Sequence, residues 1–178
     1  CSPSRAAILT GKNIWQLEEA GTHASSFPKK FQVFTDLLEQ AGYQIGFTGK
    51  GWAPGDWKGA GWKRNPAGPA YNNDMLTPPT KGISKVDYFK NFVDFYRKKA
   101  PGKPFFFWYG AHEPHRAYTK GSGAGHGLDP MKAFVPDFLP DDSVVRQDIA
   151  DYAFEIQWYD QQLGKMIAFL RREGQLNN

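Results

Sequence analysis

The sequence predicts an α/β fold with three layers, in which helices cover both faces of a central, mostly parallel sheet. Segments with the helical spacing of apolar side chains alternate with short runs that are typical of strands. Two loops rich in polar and charged side chains directly follow two of these strands. Because ligands of such folds bind at the carboxyl ends of the strands, the two loops are the strongest candidates for a functional site.

The first helix is predicted within CSPSRAAILTGK, residues 1–12. Ser2 is expected to cap this helix and Pro3 to take its first position, because proline has no amide hydrogen to lose. Gly11 is expected to end the helix. Cys1, the single cysteine of the chain, would therefore lie at the positive end of the helix dipole, where an anion is stabilised.

Basic side chains accompany this cysteine. Residues 1–17 contain Arg5 and Lys12 but no Asp or Glu. The segment therefore predicts a site for a negatively charged group.

Apolar spacing predicts the remaining elements, separated by two long loops without a period over 51–82 and 121–145. In chain order these elements are a helix over 33–41, a strand over 43–48, a helix over 86–99, a strand over 105–109 and a helix over 146–173. Asp160 falls within the apolar face of the last helix and is expected to be buried, beside a partner or a site. The aromatic side chains of the first long loop are expected to pack it onto the core, with a sugar-binding surface as the alternative; they are Trp52, Trp57, Trp62 and Tyr71.

Composition excludes several classes of protein. The 178 residues carry 22 basic and 18 acidic side chains, a net charge of +4, and 40% of them are hydrophobic, which argues against a disordered chain. The basic residues are dispersed, so a nucleic-acid partner is not expected. No apolar run approaches the ~18 residues that a membrane span needs. A single cysteine excludes an internal disulfide framework.

Cationic and proton-transferring side chains collect at the ends of the predicted elements. Such a set suits an oxyanion such as sulfate or phosphate, because transfer of that group depends on positioning and on neutralising the developing charge. The candidates are Cys1, Arg5, Lys12, Lys50, His112, His115 and Arg116.

These residues carry a resemblance to the sulfatase family. CSPSRAAILTGK is similar to the family signature of Cys, any residue, Pro, Ser, Arg and a later Thr-Gly pair, and TGK at 48–50 and AHEPHR at 111–116 resemble the next two active-site blocks in the same order. The AHEPHR block and the stretch VPDFLPDD most resemble the heparan N-sulfatase (sulfamidase) branch and its bacterial relatives. The resemblance spans the whole chain and implies an alkaline phosphatase-like α/β fold.

The resemblance also implies a reaction. It points to a hydrolase that removes sulfate from a sulfate ester or an N-sulfate of a sulfated sugar or glycosaminoglycan. In the family, a maturation enzyme oxidises the motif cysteine, here Cys1, to formylglycine, and the hydrate of this aldehyde lies next to a calcium ion. One hydroxyl of the hydrate attacks sulfur to give a sulfated-enzyme intermediate, and the second hydroxyl then releases the sulfate. The implied partners are a sulfated carbohydrate and the formylglycine-generating enzyme.

Matching positions carry implied roles. Cys1 would supply both the nucleophile and one metal ligand, Arg5 would stabilise the ionised hydrate, and Lys12 would assist it. Lys50 would contact the sulfate, and His115 would act on the leaving group or share the sulfate contact.

The two remaining candidates are assigned to substrate binding. Arg116 resembles the sulfamidase residue that reaches toward the substrate. For His112, a structural role is the alternative.

The chain departs from the family pattern in two respects. Many sulfatases have a histidine two residues after the lysine, where this chain has Trp52; His23 is one candidate to replace it. The family also binds its metal through an Asp pair before the cysteine motif and an Asp-Asn pair beyond the long helix, and this chain contains neither. Residues 1–178 are therefore expected to be the central part of a sulfatase catalytic domain, inactive in isolation.

Three other interpretations remain open. A hydrolase with an N-terminal nucleophile would use the amine of Cys1 as its base, and a lipid-anchored periplasmic binding protein would also begin at cysteine. An inactive sulfatase-like protein would keep Cys1 unmodified. By resemblance alone, a periplasmic, secreted or lysosomal location is expected.

Overall fold

The computed structural model describes residues 1–176. The chain forms two compact units, one from residues 1–74 and 90–110 and the other from residues 75–89 and 111–176. The helices and strands are α1 (Ser2–Thr10), α2 (Phe34–Gln40), β1 (Gln44–Gly49), α3 (Tyr88–Arg97), β2 (Phe105–Gly110), α4 (Ser122–Gly125) and α5 (Ser143–Arg172). Short 3-10 helices span Ile14–Gln16, Glu18–Gly21 and Pro130–Lys132.

Two parallel strands form the sheet of the first unit. β1 and β2 pair from Gln44 opposite Phe105 to Gly49 opposite Gly110. Both were predicted, and each lies within one residue of its predicted bounds. A Cβ atom at Gly110 would lie 2.1 Å from the carbonyl oxygen of Lys50, so only glycine permits the close approach at the ends of the two strands. The predicted parallel α/β arrangement is confirmed.

An aromatic cluster forms the core of the first unit. Phe27 contacts Trp52 and Trp62 edge to face, with ring centroids 5.1 and 5.5 Å apart. The indole of Trp62 donates a 2.7 Å hydrogen bond to the carbonyl of Phe27. From α1, Ala6 and Leu9, which are both fully buried, join the same cluster. The packing role predicted for the tryptophans of the long loop is therefore correct for Trp52 and Trp62, and the sugar-binding alternative is wrong for these two.

The start of α1 differs from the prediction by one residue. Ser2 is the first helical residue and Cys1 occupies the cap position. Ser2 does not cap because its hydroxyl oxygen instead accepts a 3.0 Å hydrogen bond from the amide of Ala24. Gly11 ends the helix in a left-handed conformation with φ 67°, as predicted.

The second unit is built around α5, a helix of 30 residues. Asp142 caps it, because its carboxylate accepts 2.9 Å hydrogen bonds from the amides of Val144 and Val145. The helix therefore begins three residues before its predicted start at residue 146. Phe154 of α5 stacks on the ring of His126 at 4.0 Å. Residues 121–145 are not irregular throughout, since they include α4 and a 3-10 helix.

The predicted burial of Asp160 is wrong. Asp160 is exposed, and the buried acidic residues of α5 are Asp151 and Glu155. The face predicted to be buried differs from the face that the structure buries. The prediction places Tyr152 and Ile156 on the buried face, but they are 41% and 40% exposed. The face that α5 buries carries both apolar and acidic side chains.

No helix within residues 1–176 is long and apolar enough to cross a membrane.

Trp52 provides a test of the core of the first unit. Its side chain is fully buried, so Trp52→Ala is expected to lower the free energy of unfolding by about 3–5 kcal/mol. Trp15, which is 78% exposed, is the matched control, and Trp15→Ala is expected to change stability by less than about 0.5 kcal/mol. Denaturant unfolding measures both. An equal decrease in the free energy of unfolding for the two variants would contradict the packing of Trp52 in the core.

Candidate active site

The amino end of α1 presents Cys1. Its carbonyl accepts the first hydrogen bond of the helix, 3.1 Å from the amide of Arg5, while its thiol is exposed and forms no disulfide. The other amides of the first turn point toward this end and carry partial positive charge. The bond between Ala24 and Ser2 ties the segment that contains His23 to the same end of the helix.

Lys50 lies beside Cys1. Its ammonium nitrogen is 3.4 Å from the sulfur of Cys1. Asn72 fixes the strand end that carries this lysine, because its amide oxygen accepts a 2.6 Å hydrogen bond from the amide of Gly49 and its amide nitrogen donates 2.9 Å to the carbonyl of Gly49. The backbone of Lys50 continues the pairing by donating to the carbonyl of Gly110.

The charges around Cys1 are positive and unbalanced. Burial lowers the pKa of Arg5, and burial together with the charge of Arg5 lowers the pKa of Lys50. Within residues 1–176, neither cation forms an ion pair with a carboxylate, and the buried Nε of Arg5 has no hydrogen-bond partner. An anion at this place would therefore gain both charge neutralisation and hydrogen-bond donors. The structure brings together Cys1, Arg5 and Lys50, as the sequence predicts.

Three other residues of the first unit lie elsewhere. Lys12 follows Gly11 at the far end of α1, which a rise of 1.5 Å per residue places about 15 Å along the axis from Cys1. Trp52 points into the core, so no side chain reaches the site from the position two residues after Lys50. His23 is exposed.

Residues His112, His115 and Arg116 belong to the second unit, in the segment that follows β2. The first part of this segment is fixed by a buried carboxylate. Glu113 accepts a 2.6 Å hydrogen bond from the amide of Ser84 and a 2.7 Å hydrogen bond from the hydroxyl of Tyr88. The hydroxyl of Tyr88 accepts in turn from the amide of His112 at 3.0 Å, and burial raises the pKa of Tyr88.

His115 is held through its backbone and through one ring nitrogen. Its amide donates a 2.8 Å hydrogen bond to Oε2 of Glu155, which is 2% exposed. Its Nδ1 contacts the carbonyl oxygen of Arg116. Because that oxygen only accepts, Nδ1 carries a hydrogen, and Nε2 is the ring nitrogen that exchanges a proton with a ligand.

Arg116 forms a two-point ion pair with Asp148 of α5. Its Nη1 donates to Oδ1 of Asp148 at 2.6 Å and its Nη2 to Oδ2 at 2.5 Å. The guanidinium also lies 4.7 Å from the ring centre of Tyr118. The hydrogen bonds to Asp148 raise the pKa of Arg116. An anionic ligand of Arg116 would thus compete with Asp148 or use Nε.

Sequence reasoning missed the residues that support the candidates, namely Asn72, Tyr88, Asp148 and Glu155. Asn72 lies in a loop without a period, and no local pattern marks it. Asp148 and Glu155 had a detectable signal in the sequence. Together with Asp151 they follow the spacing of one helix face.

The described residues do not by themselves fit a calcium ion. Calcium takes six to eight oxygen ligands. Within residues 1–176, no three side chains of the His, Cys, Asp and Glu types are grouped so that they could hold a metal ion, and the charged neighbours of Cys1 are cations.

Tyr88→Phe tests the buried hydrogen-bond chain. The change leaves an oxygen of Glu113 and the amide of His112 without their hydroxyl partner, so the free energy of unfolding is expected to fall by about 1–3 kcal/mol. Tyr152, which is 41% exposed, is the control, and Tyr152→Phe is expected to be neutral within about 0.5 kcal/mol. Denaturant unfolding measures the free energy of unfolding of both variants. A neutral Tyr88→Phe would contradict the chain of bonds.

Glu155→Gln tests the buried carboxyl through pH. Burial raises the pKa of Glu155, and the facing charged or titratable groups are Glu113, His115 and Tyr118. Above the ordinary pKa of glutamate the folded state then binds more protons than the unfolded state, so stability falls as pH rises, until the raised pKa is passed. Gln has no such titration. Relative to wild type, Glu155→Gln is expected to gain stability as the pH rises above about 4, the ordinary pKa of glutamate, and denaturant unfolding across pH measures this gain. A difference that does not change with pH would contradict this.

Comparison with known proteins places this chain in a family. The family model described as sulfatase matches residues 1–178. The chain is similar to the human protein N-sulphoglucosamine sulphohydrolase (Homo sapiens), with 28% identity over 207 aligned residues that cover 100% of this chain and 39% of the human protein. The chain thus spans about two-fifths of the length of this relative. The match of the family model also confirms the predicted alkaline phosphatase-like α/β fold class. Because that match covers the whole chain, the chain belongs to the sulfatase family.

Proposed function

We propose that this protein hydrolyses a sulfate ester or an N-sulfate, and that Cys1 marks its reaction centre. The observation that carries the proposal is the 3.4 Å approach of the Lys50 ammonium to the sulfur of Cys1, at the amino end of α1 and near Arg5, whose Nε has no hydrogen-bond partner among residues 1–176. A sulfate group brings negative charge to this place. The cations Lys50 and Arg5 and the helix end complement that charge.

Cys1 fits the formylglycine that the family implies. Its thiol is exposed, so a maturation enzyme has access to it, and its neighbours favour an ionised hydroxyl as they favour any anion. Formylglycine, when formed, supplies a hydrated aldehyde as the nucleophile. Calcium remains an implied cofactor, with Cys1 as the candidate ligand in this chain.

The residues of the chain then take distinct roles. Lys50 binds the sulfate oxygens and Arg5 stabilises the oxygen that attacks sulfur, because both hold positive charge at the end of α1. His115 gives a proton from Nε2 to the departing oxygen or nitrogen, since Nδ1 is engaged by the carbonyl of Arg116. His112 and Arg116 are the proposed contacts to the rest of the substrate. Lys12 lies too far from Cys1 to assist Arg5, and would contact only a part of the substrate that extends about 15 Å from Cys1.

A sulfated sugar is the proposed substrate. The human relative is named for N-sulphoglucosamine, and the AHEPHR block resembles the branch that cleaves such bonds. A formylglycine-generating enzyme is the proposed maturation partner, and a periplasmic, secreted or lysosomal location is proposed on the same resemblance. That residues 1–178 are the central part of the catalytic domain stays a prediction.

Mass spectrometry and a sulfate assay test the proposal together. The protein is produced from its complete gene with a maturation enzyme, and the tryptic peptide with Cys1 is weighed. Conversion of the thiol to an aldehyde, with sulfate release from N-sulfated or O-sulfated glucosamine, is the expected result. An unmodified Cys1 and no sulfate release from either sugar would instead support an inactive sulfatase-like protein.

Lys50→Ala tests the cation beside Cys1. Loss of this donor to the developing charge is expected to lower kcat about 10²–10³-fold. Lys29→Ala, at an exposed lysine of the same unit, is the matched control and is expected to keep wild-type kcat. Initial rates of sulfate release measure both variants. A Lys50→Ala protein with unchanged kcat would contradict the role of Lys50.

A further inference from the structure

We propose that Glu155 is a positioning residue for His115, and that it sets where the ring of this histidine lies. The proposal rests on the proposed function, in which His115 gives a proton to the leaving group. Glu155 lies in α5, 40 residues after His115, and is not part of the motif that contains this histidine.

The direct contact is between a side chain and a backbone amide. Oε2 of Glu155 lies 2.8 Å from the amide nitrogen of His115. This bond fixes the peptide plane that carries the Cα atom of His115, while the contact of Nδ1 with the carbonyl of Arg116 fixes the ring. Together the two contacts determine the position and the tautomer of the imidazole.

Stability alone does not account for Glu155. The side chain is 2% exposed, and its Oε1 is a buried oxygen without a hydrogen-bond partner among residues 1–176. Burying a carboxyl with one oxygen unpaired costs free energy. By contrast, the buried carboxylate of Glu113 accepts hydrogen bonds at both oxygens. Polar groups that destabilise a fold are found mainly where function needs them.

Neighbouring acids on the same face of α5 hold the rest of the segment. Asp148, seven residues before Glu155, binds the guanidinium of Arg116. Asp151, between them, accepts 2.9 and 2.8 Å hydrogen bonds from the amides of Gly121 and Gly123. A single helix face therefore anchors the chain at 115, 116 and 121–123, which makes the segment after β2 rigid at the residue that transfers the proton.

The expected effect follows from geometry. A displacement of about 1 Å at a reacting group lowers a rate by as much as ~10²-fold, even when the substrate still binds. Loss of the acceptor at Glu155 should therefore reduce kcat and leave KM nearly unchanged.

Two substitutions separate the hydrogen bond from the charge. Glu155→Gln keeps an oxygen that accepts from the amide of His115, whereas Glu155→Met keeps the length of the side chain and removes the acceptor. We expect Glu155→Met to lower kcat roughly 10–100-fold with little change in KM, and Glu155→Gln to stay within about threefold of wild type. Asp160→Asn, at an exposed acid of the same helix, is the control and should match wild type.

Hydrogen exchange at the amide of His115 gives a readout that needs no activity. Glu155→Met should speed this exchange, and Glu155→Gln should not. If Glu155→Met does not fold, Glu155→Asp, which withdraws the acceptor by one methylene, takes its place with the same expectations. The proposal would be overturned if Glu155→Met kept both the wild-type kcat and the wild-type exchange rate at the amide of His115. It would also be overturned if the kcat of Glu155→Gln were as low as that of Glu155→Met. If wild type releases no sulfate, the proposed function fails, and the exchange data still decide the role of Glu155.

Discussion

The parallel pairing of β1 with β2 is the constraint on which the charged centre at Cys1 depends. The register brings Gly49 opposite Gly110. Because Gly110 has no side chain, the carbonyl of Lys50 can lie close to the end of β2. Asn72 then holds Gly49 from the other side with two hydrogen bonds. Lys50 is therefore held at its backbone, so no further backbone entropy is lost when its side chain reaches Cys1.

The two units use charge in opposite ways. In the first, Arg5 and Lys50 lie near the exposed amino end of α1 and have no ion pair with an acid in the described part of the chain, an arrangement that is unfavourable until an anion binds. In the second, acids are buried or paired with backbone amides and with Arg116. The first arrangement is suited to binding a charged group, and the second to fixing backbone. This division explains why the acids of α5 support candidate residues without taking part in the proposed reaction.

Trp52 shows how a change of residue at a site position is absorbed by the fold. Its indole packs edge to face against Phe27 in the core of the first unit, and its backbone is held by Asn65. The position two residues after Lys50 therefore contributes to packing in this chain. Any group that compensates for a histidine at this position comes from another segment, and the turn that carries His23 is tied to Ser2 beside Cys1.

The sequence by itself determined the local elements and the chemical type of the site. The glycine stop of α1, both strands and the long last helix followed from apolar spacing and cap residues, because these signals lie within a few residues of one another. The meeting of Cys1 with Lys50, 49 residues apart, was correctly expected only through motif order. Tertiary structure alone decided which backbone groups Asn72, Tyr88 and Glu155 contact, since each of these groups is distant in sequence. It also decided that α5 buries Glu155 and exposes Asp160, because the face a helix buries depends on what packs against it.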